Sequence, residues 1–379
     1  MAATSTTNDN TRKKVSSSYI PHDISFSILS KLPIKSLKRF SCVHKSWSLI
    51  FENPNFMNMF RNNLISKSHP LYDDACLVLN QFLGPYDWNV YLLSGDKFEN
   101  KVKLDLPHSF HIPGFGFTPI RVLGSAINGI FCIYDTDDRG TALLWNPAIE
   151  QTIVIPPSLA EFDPEFITEV FPHGFGYDHV GDDYKVIQLV CYTASIENPP
   201  NGFWEIYSLK SNSWRKIDFD MPIYYNIYND VYFNGVCHWL GEETNNLVSF
   251  NLCDEVYFNT PLPLEDNDGF EVKLTVLNGF VAVVTNPKRI ASFQISILGE
   301  FGVKESWIKL LDVELLSCID SPIGAGEKGN IFFSNIDNEL ACFDLTTGLI
   351  EDIGFRGDEF WCQMLIYKRN LHPIGEINN

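Results

Sequence analysis

A tight turn that returns at regular intervals limits the fold of this chain more than any other feature. Asn128-Gly129 precedes Ile130-Phe131-Cys132-Ile133, Asn234-Gly235 precedes Val236-Cys237-His238-Trp239, and Asn278-Gly279 precedes Phe280-Val281-Ala282-Val283. Lys328-Gly329-Asn330 before Ile331-Phe332-Phe333 is a looser copy. Asn and Gly accept the left-handed backbone that a two-residue reversal demands, and each apolar run after the turn reads as a buried strand. The glycines lie 106, 44 and 50 residues apart. The first interval spans two units, with Asp182-Asp183 before Tyr184-Lys185-Val186-Ile187 supplying the missing turn.

Each such strand is followed by a second strand, turn and strand. Leu143 to Pro147 leads to Gln151 to Ile155, Trp204 to Leu209 to Trp214-Arg215-Lys216-Ile217, and Leu247 to Leu252 to Val256 to Thr260. Ser292 to Leu298 leads to Trp307 to Leu310, and Leu340 to Leu345 to Leu349 to Ile353. Units of about 45–50 residues with four strands each have the pattern of propeller blades. Counting from Ala75 gives six. The first is short: Ala75 to Leu79 and Val90 to Leu93 supply strands without the turn. Trp361 to Tyr367 is a further strand, expected to close the ring on the first blade and so remove an exposed edge.

The region from Tyr19 to Phe60 has a different texture. Ile24, Ile28, Leu29 and Leu32 fall on one helical stripe, and Pro33 stops that helix and opens the next. Leu37, Phe40 and Val43 form a second stripe, and Trp47, Leu49 and Ile50 a third. About 40 residues in three short helices are too few to bury this apolar surface alone, so the module is expected to hold a partner. The division expected is a polar disordered lead-in at 1–18, a helical module at 19–60, a linker at 61–70, an all-β propeller-like domain at 71–370 and a tail at 371–379.

Residues 1–68 hold ten Lys and Arg against three Asp and Glu, leaving 18 basic against 44 acidic residues in the remainder. So acidic a large domain suits neither nucleic acid nor anionic lipid; it would attract a basic surface, or it serves solubility alone. No apolar run approaches the ~18 residues of a membrane span. The polar start predicts no secretory leader. Nine scattered cysteines without a C-x-x-C pair predict reduced thiols and a cytoplasmic or nuclear setting.

No constellation for chemistry emerges. Gly114-Phe115-Gly116 and Gly174-Phe175-Gly176 lack the third Gly and the helix of a nucleotide fingerprint. His108 and His111 have no third ligand, and Asp137-Asp138 and Asp182-Asp183 flank glycine turns. None of the cysteines has basic neighbours favouring a thiolate. No catalytic residue, metal or cofactor is expected.

Two groups of residues carry a resemblance. Ile20-Pro21-x-Asp23-Ile24, Leu32-Pro33-x-Lys35-Ser36-Leu37 and Arg39-Phe40-x-Cys42-Val43-x-Lys45-x-Trp47 together resemble a plant-type F-box, with Ile20 where that family usually has Leu. Gly174-Phe175-Gly176-Tyr177-Asp178, Trp145-Asn146-Pro147, Glu205 to Leu209 before Trp214, and Asn234-Gly235 before His238-Trp239 resemble the kelch-like plant F-box-associated domain, whose relatives include the S-locus F-box group. The resemblance implies a three-helix F-box followed by a six-bladed propeller, acting as a substrate-recognition subunit of a Skp–cullin–F-box ubiquitin ligase. The F-box would dock a Skp-type adaptor and, through it, cullin and RING subunits.

Ile20, Pro21, Ile24, Leu32, Pro33, Leu37, Phe40, Val43 and Trp47 are the expected apolar contacts or supports, with Lys35, Arg39 and Lys45 steering an acidic adaptor. Trp47 serves equally well as internal core. Target recognition is assigned to long loops at Pro107 to Arg121, Pro156 to His173, Ser195 to Gly202 and Pro261 to Gly269, with Phe115, Phe117 and Phe162 as anchors or as aromatics folded back onto blades. Three other readings stay open: an interaction scaffold outside any ligase, a propeller enzyme with a helical arm, and a pollen recognition factor.

Overall fold

The computed structural model describes residues 22–32, 34–41, 47, 49–66, 75–84, 87–95, 98–112, 116–117, 120–135, 141–160, 166–193, 201–218, 221, 229–241, 245–264, 270–287, 292–314, 319–326, 329–335, 337–356 and 362–375. The chain forms two compact units that divide between Phe60 and Arg61.

In the first unit, α1 (His22–Leu29) ends before the expected breaker, and α2 (Ile34–Ser41) follows it. The expected third stripe lies partly outside the described residues. Within it Trp47 is helical and Ile50–Glu52 form a single 3-10 turn. The next helix, α3 (Pro54–Ser66), starts on a strong signal: Asn53 Oδ1 accepts the Asn55 and Phe56 N–H groups at 3.0 and 3.2 Å, and Pro54 takes the first helical position. It runs to Ser66, so the first part of the stretch read as a linker, 61–66, is helical; no Gly or Pro interrupts it. Phe56 anchors the unit, with its ring 5.6 Å from Phe26 and 6.1 Å from Phe60. Leu29, Leu37, Ile50 and Phe60 are buried with it.

The second unit is a six-bladed β-propeller, each blade a four-stranded antiparallel sheet. The innermost strands of blades 1 to 6 are Cys362–Lys368, Ile120–Ile127, Ile167–Asp178, Asp230–Phe233, Phe270–Leu277 and Ile319–Ala325. Each neighbours the next around the ring, and the sixth neighbours the first. Closure is as expected: Cys362–Lys368 pairs antiparallel with Ala75–Gly84, from Ala75↔Lys368 to Gln81↔Cys362. The repeated turns join first to second strands; Asn128 and Gly129 sit at φ +50° and +75°, Asn234 and Gly235 at +48° and +83°. These are the paired positive values of a two-residue hairpin turn.

Side chains stitch the blades. Gln363 bridges blades 1 and 2: its Nε2 donates to Val122 O at 3.0 Å, and its Oε1 accepts from Val122 N and Asn80 Nδ2. Trp214 Nε1 donates to Pro156 O at 2.7 Å between blades 3 and 2, and Trp307 Nε1 repeats this with Pro261 O at 2.9 Å between blades 5 and 4. The Gly174-Phe175-Gly176-Tyr177-Asp178 motif belongs to the seam of blades 3 and 4. A Cβ on Gly176 would lie 2.2 Å from Leu252 Cδ1, and Tyr232 donates its hydroxyl to Tyr177 O at 2.8 Å. Asp178 accepts the Val180 and Gly181 N–H groups and Lys185 Nζ, which outweigh burial and hold its carboxyl below the usual range.

Residues 371–375, in the stretch read as a tail, are tied to the propeller. Asn146 Nδ2 donates to Asn370 O and His372 O at 3.1 and 3.0 Å, and Asn370 Nδ2 donates to Asn128 O at 2.7 Å. Ile374 donates its N–H to Gln151 Oε1 and is buried in the core shared by blades 2, 3 and 4. The segment is a strap, held because an isoleucine finds an apolar socket while its backbone is hydrogen-bonded.

Candidate functional site

The helical unit turns part of its apolar surface outward. Ile24 is 50% exposed, Ile28 56%, Phe40 39% and Leu49 58%. Ile24 and Ile28 are one helical turn apart in α1 and so share a face. These four large apolar side chains are thus left open on a small unit. Leu32 and Trp47 are half-buried, and the Trp47 ring meets Phe40 edge-on at 5.9 Å. Arg39 is exposed, whereas Leu37 is 1% exposed and supports the unit from within. Ile20, Pro21, Pro33, Val43, Lys45 and the Lys35 side chain lie outside the described residues. Ile28 and Leu49 were not among the expected contacts, although their places on the first and third stripes were visible.

The meander dictates where the propeller's loops go. First-to-second and third-to-fourth connections lie at one end of each blade, and second-to-third and blade-to-blade connections at the other. All four long segments chosen from the sequence are of the second kind, and so they gather on one face. Phe115 and Phe162 lie outside the described residues. Phe117 belongs to a short ribbon, Gly116–Phe117 paired with His111–Ile112, and its side chain is not described. Leu159, Phe166 and Ile167, which the sequence reading did not select, are exposed on the segment entering blade 3.

Several of the propeller's cysteines are buried. Burial pushes the Cys191 and Cys342 thiols up to about 12 and raises those of Cys132 and Cys237 as well. Cys42 and Cys318 lie outside the described residues. Asp182 and Asp183 are engaged in separate hydrogen bonds: Tyr177 donates to Asp182, while Ser208 Oγ and the Lys210 N–H donate to Asp183.

His238 is buried with its Nδ1 2.9 Å from Ser249 Oγ and its ring 5.2 Å from Phe301. Burial lowers it from 6.5 to about 3. An unfolded chain therefore takes a proton below about 6.5 that the folded chain refuses until about 3. Its contribution to stability is complete above that window and is lost as the pH falls through it, by about 1.4 kcal/mol per unit. Between pH 7.5 and 5.0 the wild type should lose about 2 kcal/mol more than His238→Gln in urea unfolding. Equal slopes would show that His238 is not held neutral.

Comparison with known families places both units. The profile described as F-box associated beta propeller domain matches residues 98–356, and that of the F-box domain matches residues 18–58. The chain belongs to the F-box-associated β-propeller family. An Arabidopsis thaliana F-box/kelch-repeat protein is 25% identical to this family member over 355 residues, covering 90% of this chain and 92% of the relative. The F-box protein CPR1 of the same plant is 23% identical over 397 residues, covering 95% and 91%. Among solved structures, a chain of a nidogen/laminin complex aligns with a TM-score of 0.45 at 13% identity, covering 78% of this chain and 99% of that one. At that score the likeness carries no argument.

Proposed function

We propose that this F-box-associated propeller is the substrate-recognition subunit of a Skp–cullin–F-box ubiquitin ligase. Its amino-terminal unit, a three-helix F-box in this reading, docks a Skp-type adaptor, and its propeller holds the target. The observation that carries the reading is the exposed set Ile24, Ile28, Phe40 and Leu49, within the residues matched as an F-box domain. Removing such side chains from water against a partner is favourable, at about 25 cal/mol per Å² of apolar surface.

The propeller contributes no chemistry of its own. It raises the local concentration of the target beside a ubiquitin-loaded carrier, so that an intermolecular encounter becomes a tethered one. The face with the long loops is the target side, and the acidity of the domain favours a basic target.

The double variant Ile24→Asp, Ile28→Asp tests the docking. Both side chains are exposed, so the propeller's thermal midpoint should not move. Capture of a Skp-type adaptor should weaken by at least about 30-fold, the loss of one interfacial hot spot of ~2 kcal/mol. Undiminished capture would defeat the assignment.

A further inference from the structure

A cavity of about 1030 Å³ runs along the propeller axis, lined by the innermost strands of all six blades and by the strap. Its charge is opposite to that of the domain around it. From residue 69 onward the chain holds 18 basic against 44 acidic residues. Among the described residues, the cavity is lined by four basic side chains, Arg121, Lys273, Lys368 and Arg369, against one acidic side chain, Asp230.

The more buried of these charges do not neutralise one another. Asp230 is committed: Arg121 Nη2 lies 3.3 Å from its Oδ1, and the Gly124 N–H donates to its other oxygen. Lys273, on blade 5, is half-buried and makes no hydrogen bond or ion pair among the described residues. Burial first, then the nearby Arg121, pulls it down from 10.5 to about 8, with Asp230 opposing. Two cations and one carboxylate leave the trio with a formal sum of one positive charge. Holding a partly desolvated cation without a partner is unfavourable, and a bound anion offsets that cost. Arg121 stands near the start of its strand, Ile120–Ile127, and Lys273 midway along Phe270–Leu277, whereas Lys368 ends the strand Cys362–Lys368. The volume is that of a small-molecule site.

We propose that the central channel binds a small anion of the carboxylate or phosphate class, held by Lys273 and Arg121, with Lys368 and Arg369 drawing it in at the mouth.

Thermal unfolding of the full chain tests this, with citrate and pyrophosphate as probes at an ionic strength held constant with NaCl. At least one probe should raise the midpoint saturably, and the stronger of the two identifies the chemistry preferred. Lys273→Met should weaken the apparent affinity at least tenfold while leaving the probe-free midpoint unchanged or higher. Should that variant fail to fold, acetic anhydride labelling of the wild type decides. The probe should slow acetylation of Lys273 at least fivefold without slowing the exposed Lys210. Any of four results would overturn the proposal: both probes behaving as NaCl, Lys273→Met binding as the wild type does, unprotected Lys273, or stabilisation by a Glu-rich peptide alone.

Discussion

A chain ending at residue 361 is expected to lose the closed ring and to be recovered as aggregate. The missing strand, Cys362–Lys368, is the innermost strand of blade 1 and pairs along Ala75 to Gln81. It carries Met364 and Tyr367, both buried, each worth about 1.5–3 kcal/mol of apolar burial. Gln363 leaves with it, and with Gln363 the bridge to Val122. The strap that seats Ile374 is lost as well. Together these rival the whole stability of an ordinary domain, about 5–15 kcal/mol. The truncated product also bares the edge of Ala75–Gly84, an open template for association. Size-exclusion chromatography and a thermal scan decide the matter. A soluble monomer melting where the full chain melts would show that the ring does not depend on this strand.

Phe56→Ala should have the second-largest effect, confined to the other unit. Phe56 is fully buried and touches both Phe26 of α1 and Phe60 of α3. Truncating such a ring costs about 3–5 kcal/mol. A single core of this size rarely supplies more than about 3–5 kcal/mol in total. The helical unit should therefore melt, lowering the ellipticity at 222 nm and abolishing adaptor capture. The propeller's own transition should stay in place. Retained helicity at 25 °C would show that this core is less dependent on Phe56 than its packing implies.

Much of this architecture was legible because its signals are local. Asn-Gly at 128–129 and 234–235 specifies a reversal by itself, since only such residues take both positive φ values cheaply. The interval between turns then specifies the number of blades. Even the closing strand could be inferred, since a lone apolar run after the last blade had no other partner.

The unread parts depend on contacts distant in sequence. The Asn128-Gly129 turn was explained by its φ values alone, yet a Cβ on Gly129 would also lie 2.6 Å from Asn370 Cβ, where the strap crosses. Ile374 sits between Pro373 and Gly375 in a stretch with neither helical nor strand periodicity, and nothing nearby announces its socket. Arg121, Asp230 and Lys273 are single charges on three strands, spread over some 150 residues. They meet only because six inner strands converge on one axis. Phe56 and Phe60 escaped notice because they fall beyond the three stripes that drew attention to the helical unit.

The pairing of Asn80 with Gln363 spans 283 positions. On a ribosome making ~5–20 residues per second, the first blade waits roughly 15–60 s for its last strand. Throughout that interval the nascent protein presents a vacant lane beside Ala75–Gly84 that only its own final segment fills. A stalled or prematurely terminated message would leave that lane open for good, so such products are natural prey for chaperones and proteases, long before any question of ligase assembly arises.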